Sequence, residues 1–121
     1  MRKIKISALD GLFSKIIRRK AKWTCERCGT KHKENSFGLH LSHFIGRANM
    51  STRWYPDNCD VFCYGCHQWM ETRKPTEYAL WKLKKLGTEK YNALINLSRK
   101  IKQWSVQEKE GMKNGFKRAI G

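Results

Sequence analysis

The chain has 121 residues, a length for one domain with a modest core, and sets 26 lysines and arginines against 10 acidic residues, a formal net charge of +16. That balance points to a polyanionic partner, nucleic acid foremost, although a solubilising or ribosome-adhering surface accounts for the same total. No stretch nears the roughly 20 apolar residues of a membrane span. No lipidation motif or exposed apolar helix face favours a bilayer, and Met1-Arg2-Lys3-Ile4-Lys5 leads into no apolar run of a signal peptide, so the chain reads as cytoplasmic with reduced thiols.

The charge is unevenly placed. Residues 1–22 hold eight basic and one acidic residue, residues 23–70 hold five and four, and residues 71–121 hold thirteen and five. A nearly neutral centre lies between two basic flanks, as expected of a chemical site gripped by a nucleic-acid clamp. In chain order, residues 7–20 predict a helix. Ser7 and Asp10 have capping-box spacing, Leu9, Leu12, Phe13 and Ile16 form an apolar stripe, and Lys15, Arg18, Arg19 and Lys22 share a basic face. The knuckle Cys25-Glu26-Arg27-Cys28 follows, with Gly29 for the tight turn behind it. Residues 30–38 are loop-like, and His32 among their lysines reads as solvated. Residues 38–45 alternate as a strand and residues 59–62 form a second, ending at the knuckle Cys63-Tyr64-Gly65-Cys66. Further helices are expected from about Cys66, from Pro75 to about Leu86, from Gly87-Thr88 to about Ile101, and from a Ser105/Glu108 capping box to about Ala119.

Two C-x-x-C pairs with 34 residues between them read as one closed tetrahedral zinc site made by Cys25, Cys28, Cys63 and Cys66. A redox dithiol pair would need a thioredoxin-like βαβ context, which is missing. Cys59, on the second strand, reads as a buried small hydrophobe. Between and after the knuckles stand His43, Asn58 and His67, in the order of an HNH, or ββα-metal, nuclease. In that scheme His43 is the general base, Asn58 braces the hairpin, and His67 on the first helical turn is a metal ligand. Arg47 and Arg53 flank the tip between the strands, where a guanidinium suits a phosphate or simply faces solvent. Trp54 offers a stacking surface for an unpaired base or belongs to the core, while Trp69, Trp81 and Trp104 read as packing between helices. Lys82, Lys84, Lys85, Lys100 and Lys102 are placed for backbone phosphates.

The segments Leu9-Asp10-Gly11-Leu12-Phe13-Ser14, Cys25-Glu26-Arg27-Cys28-Gly29, His40-Leu41-Ser42-His43-Phe44, Arg53-Trp54-Tyr55-Pro56-Asp57-Asn58 and Cys63-Tyr64-Gly65-Cys66-His67 resemble the NinG (Rap) recombination nucleases of lambdoid phages. The helix from Tyr78 to Gly87 extends the resemblance, which runs from Leu9 to Lys117. It implies an α+β fold in which a small ββα-metal core with a four-cysteine zinc site (residues 23–74) lies between a basic N-terminal helix (1–22) and basic C-terminal helices (75–121), all in one domain. The activity it implies is endonucleolytic cutting of branched recombination intermediates such as Holliday junctions and D-loops, with structural Zn²⁺ and catalytic Mg²⁺ or Mn²⁺. The sequence departs from the commonest HNH pattern in having Ser42 where an aspartate precedes the base. The resemblance makes His40, three residues before the base, the second ligand beside His67. Strand alternation puts His40 and His43 on opposite faces, so this assignment requires a bulge or strand end near Ser42. Two imidazole ligands would favour Mn²⁺ over Mg²⁺. Symmetric cutting of a junction calls for a homodimer. A general HNH nicking or double-strand nuclease and a non-catalytic zinc-ribbon DNA-binding module are the alternatives.

Overall fold

In a computed structural model, residues 6–121 are described; residues 1–5, where the basic N-terminal segment begins and where the reading against a signal peptide rests, lie outside them. The first helix, α1 (Ala8–Lys20), starts on the predicted capping box. The Asp10 carboxylate accepts from the Ser7 amide at 2.8 Å and from its hydroxyl at 2.9 Å. Leu9, Phe13 and Ile17 face the core. The helix stops where Lys22 and Trp23 both turn left-handed at φ 55, a conformation rare outside glycine, and an isolated bridge between Thr24 and Lys31 frames the first knuckle. Gly29, at φ 78, supplies the turn predicted for it.

Strands β1 (Leu39–His43) and β2 (Cys59–Cys63) form an antiparallel hairpin, the whole sheet among the described residues. Their register is continuous, from Leu39 opposite Cys63 to His43 opposite Cys59. The bulge that would bring His40 beside His43 is therefore absent, and the two imidazoles stay on opposite faces. A 3-10 turn, Pro56–Asn58, feeds β2. After β2 the chain enters α2 (Tyr64–Gln68), which passes directly into a π turn at Trp69–Arg73 closed by the Lys74 amide on the Trp69 carbonyl at 2.8 Å. Pro75 then opens α3 (Pro75–Leu86), and Gly87, at φ 81, separates it from α4 (Thr88–Ser98). Gly87 itself, rather than Thr88, is the N-cap of α4, and the helix stops short of the expected Ile101, which is exposed. The last helix, α5 (Val106–Ile120), begins on the predicted Ser105/Glu108 box.

The fold is α+β. Helices α1 and α5 pack together through Phe13 and Phe116, with ring centroids 5.6 Å apart. Phe62 of β2 meets Tyr78 and Trp81 of α3 at 5.5 and 5.2 Å. Trp54 is buried with the core, which takes it out of reach as a stacking surface, and Trp69, Trp81 and Trp104 pack partly buried against it. Cys59 is buried as read, and burial pushes its thiol up to about 12, so it is unreactive. No described helix is long and apolar enough to cross a membrane.

Two buried ion pairs overturn surface roles expected from the sequence. Lys82 is 0 % exposed and gives its ammonium to Asp60 Oδ1 at 2.8 Å, so it meets no phosphate. Its neighbour Lys85 reaches the same oxygen at 2.6 Å and Glu26 at 3.0 Å, with its side chain part-exposed. Arg53 forms a two-pronged pair with Asp10, Nε to Oδ1 at 2.9 Å and Nη2 to Oδ2 at 2.6 Å, and is buried rather than aimed at substrate. Arg18 is also turned inward, donating to the Ser36 and Leu39 carbonyls at 3.3 and 3.4 Å and lying over the Trp23 ring. Of the predicted basic face this leaves Lys15 half-buried and Arg19 exposed on α1, and Lys22 exposed beyond its end; Arg19 ties α1 to the Ile120 carbonyl at 2.9 Å.

Candidate functional site

The two knuckles converge. Sulfurs of Cys25, Cys28, Cys63 and Cys66 all lie within 4.8 Å of one another, and no disulfide joins them. Cys28 Sγ and Cys63 Sγ are 3.8 Å apart, and four sulfurs at about 2.3 Å from a tetrahedral zinc stand roughly 3.8 Å apart. The set can hold a structural metal such as zinc. Its surroundings fit thiolates. Thr30 bonds Cys28 at 3.0 Å and pulls that thiol down to about 6, and Arg27 donates to Cys66 at 3.3 Å while its guanidinium lies 3.9 Å over the Trp69 ring. Burial pushes Cys66 up to about 12, so its ionisation calls for a cation beside it. Glu26 hooks the first knuckle to β2: its amide donates to the Val61 carbonyl at 2.8 Å, and its carboxylate accepts the Val61 amide at 2.7 Å.

A cleft of about 460 Å³ opens beside the hairpin, lined by His43, Arg47, His67, Glu71 and Tyr78 among others. His43 sits at its wall with Nε2 3.0 Å from the Arg53 carbonyl. A carbonyl only accepts, so the hydrogen is on Nε2 and the lone pair on Nδ1. Burial, then the charge of Arg47, lower the imidazole to about 4, which keeps it neutral at physiological pH. Asn58, fully buried, closes the loop beyond β1. Its amide donates to the Ile45 and Thr52 carbonyls at 2.9 and 3.1 Å, and its oxygen accepts the Ile45 amide at 2.8 Å. Thr52 adjoins Arg53, whose carbonyl fixes His43. Arg47 shares the cleft with His43, and its Nε is buried with no hydrogen-bond partner.

On the other face of β1, His40 meets His67 of α2. Their Nδ1 atoms are 2.9 Å apart, the spacing that two neighbouring ligands roughly 2.1 Å from one divalent ion keep. The other nitrogen of His67, Nε2, lies 3.0 Å from Glu71 Oε1. The carboxylate fixes the hydrogen on Nε2, so Nδ1 carries the lone pair, accepts the His40 Nδ1 hydrogen at 2.9 Å and is the atom that could ligate, the arrangement in which a carboxylate stands behind a metal-binding histidine. Burial, then the charge of His67, lowers His40 below its ordinary value, which favours the neutral, ligating form. His40, His67 and Glu71 do not converge on one point: among the described residues the four cysteines alone form a cluster of three or more potential metal ligands.

Glu71 and its supports were not anticipated. Ser42, which occupies the position before His43, donates its hydroxyl to Glu71 at 2.7 Å and touches the Tyr78 hydroxyl at 2.9 Å, and Tyr78 in turn donates to Asp60 at 2.6 Å. Ser42 is therefore placed behind the histidine pair. Burial works against the Glu71 carboxylate, but the bonds from His67 and Ser42 outweigh it and hold the group below the usual range. Glu71 was detectable in principle, four residues after His67 on the same helical face; Tyr78 carried no local signal. Replacing Glu71 with Ala removes the carboxylate bonded to His67, and a 10- to 100-fold loss of divalent-ion affinity at the His40–His67 pair is expected. Ion titration by calorimetry, with the cysteine site already filled, measures it; unchanged affinity would show that the carboxylate does not support His67. His32, read as solvated, is half-buried against Ser36, with Nε2 buried and unpartnered.

Comparison of the chain with family models, with curated proteins and with solved structures returned no match.

Proposed function

We propose that this protein is a metal-dependent DNA endonuclease of the HNH, ββα-metal type, akin to the NinG recombination nucleases and directed at branched DNA such as Holliday junctions and D-loops. The observation that carries the reading is His43: a neutral imidazole locked into one tautomer, its basic Nδ1 kept free, sharing a cleft with Arg47 and His67. In phosphodiester hydrolysis His43 takes the proton of the attacking water at Nδ1. Asn58 holds the loop that delivers the Arg53 carbonyl, and so keeps His43 in that tautomer. Arg47 lines the same cleft, and its guanidinium would meet a phosphate oxygen there. His40 and His67 would hold a divalent ion, Mn²⁺ or Mg²⁺, which would supply charge stabilisation for the phosphorane and the leaving oxygen. Exposed Arg19, Lys22 and Lys84, with half-buried Lys15 and part-exposed Lys85, remain for the DNA backbone. Two such sites in a homodimer would cut opposed strands of a junction.

The test is cleavage of a labelled four-way junction, a D-loop and a matched linear duplex by the zinc-loaded chain in Mg²⁺, Mn²⁺ or EDTA. Cutting should require the divalent ion and favour the branched substrates, and His43→Ala should lower it about 10²- to 10⁴-fold, the usual worth of a general base. Because the folded imidazole is lowered to about 4, its base form persists well below the ordinary histidine range, so a fall in rate above that pH should track loss of bound metal and not protonation of His43. Equal cutting of all three substrates would make the protein a general HNH nuclease. Junction binding without cutting would make it a zinc-ribbon binding module.

A further inference from the structure

The stretch between the first knuckle and β1 carries the most exposed aromatic ring of the molecule among the described residues: Phe37 is 98 % exposed. A solitary surface phenylalanine is ordinary. Its mounting is not. The turn beneath it is tied from several sides: the Gly38 amide bonds Ser36 Oγ at 3.2 Å, Arg18 grips the Ser36 and Leu39 carbonyls, and the Tyr64 amide holds the Gly38 carbonyl at 3.1 Å. Tyr64, where α2 begins, is itself 62 % exposed. Its ring stands edge-on to His40 at 5.9 Å, and His40 in turn stands edge-on to His67 at 5.1 Å. A rigid turn thus mounts a projecting phenylalanine ahead of the strand that carries His40, with a second exposed aromatic beside that imidazole.

We propose that Phe37 and Tyr64 form an aromatic wedge beside the His40–His67 pair that stacks on an unpaired or unstacked base, and that this stacking favours branched DNA over continuous duplex. The inference rests on the nuclease reading and specifies how that site selects its substrate. A base is the occupant that the surroundings favour. The chain carries a net charge of +16, so a polyanion is drawn to its surface. An aromatic ring accepts any base face without sequence preference, and an apolar wedge costs least where stacking is already broken, as at a branch point. Because the Phe37 ring is almost wholly exposed, removing it leaves the core untouched.

Binding separates this from catalysis. The full chain, zinc-loaded and carrying His43→Ala, is titrated with a fluorescently labelled four-way junction and a matched duplex in Mn²⁺. The parent should prefer the junction, and Phe37→Ala and Tyr64→Ala should each reduce that preference about tenfold. Phe37→Trp should retain it. Unchanged preference in the Phe37→Ala/Tyr64→Ala double variant, or equal binding of both DNAs by the parent, overturns the wedge while leaving metal-dependent cutting by the His43-containing chain to stand on its own. Light scattering on the same samples supplies a further check: conversion of a dimer to a monomer by Phe37→Ala with the DNA preference intact would assign the ring to contact between two copies, and overturn the proposal.

Discussion

Removing the metal from the four-cysteine site should unfold the chain. A strong chelator, or Cys63→Ser, is expected to abolish the cooperative thermal transition, and readdition of one equivalent of zinc to the chelated chain should restore it. Binding of a structural zinc is worth on the order of 10 kcal/mol, comparable with the whole stability of a typical domain at about 5–15 kcal/mol. The geometry makes that energy decisive here. Cys25 and Cys66 belong to the core cluster, and Cys63 ends β2, so the bound ion would join the post-α1 turn, the hairpin and α2 at one point. Without it, Cys66 would lose the cation that its buried position demands for ionisation. Arg27, which bridges Cys66 and Trp69, would lose its anionic partner. Circular dichroism during heating, with metal content determined on the same sample, decides the matter. A metal-free chain with an unshifted transition would reduce the cysteines to a chance convergence.

The second large effect should come from Asp60. Its carboxylate is fully buried and takes the ammonium groups of Lys82 and Lys85 on one oxygen and the Tyr78 hydroxyl on the other. Asp60→Ala leaves Lys82, whose ammonium burial already disfavours, with no counter-charge in the interior. Removing one partner of a buried pair costs about 3–5 kcal/mol, and Asp60→Ala belongs in that range because it strands Lys82, while Lys85 keeps Glu26. Lys82→Met should cost much less, since Asp60 keeps Lys85 and Tyr78 and the methionine fills similar apolar volume. Urea unfolding of both variants gives the comparison. Equal losses, or a larger loss for Lys82→Met, would refute the view that the carboxylate organises this cluster.

These interior charges also mark where sequence reasoning stops. The capping boxes at Ser7 and Ser105, the two strands and the paired knuckles depend on neighbours within a few residues, and short-range chemistry made them legible. Lys82 and Arg53 were placed at the surface because the carboxylates that bury them, Asp60 and Asp10, lie 22 and 43 residues away. Nothing local distinguishes a lysine destined for an interior carboxylate from one facing water. The bulge expected near Ser42 came from asking His40 and His43 to meet. In the continuous register each finds a separate partner, His67 for one and the Arg53 carbonyl for the other. Glu71 lies in the π turn beyond the end of the short α2, and its four-residue spacing from His67 was the one local sign of the pairing.

Asp10 joins two parts of the molecule that a reader of the chain would treat separately. One carboxylate receives the Ser7 amide that starts α1, the Arg53 guanidinium, and the Trp54 indole at 3.0 Å. The loop whose backbone fixes the His43 tautomer is thus fastened to the first turn of a helix 43 residues earlier. Fraying of that helix end and loosening of the loop become a single opening event, with a shared free energy in place of two independent ones. Connecting segments usually owe their mobility to being the cheapest part of a structure to unfold. This one opens only at the cost of a helix terminus, so the imidazole that it orients inherits the persistence of regular secondary structure.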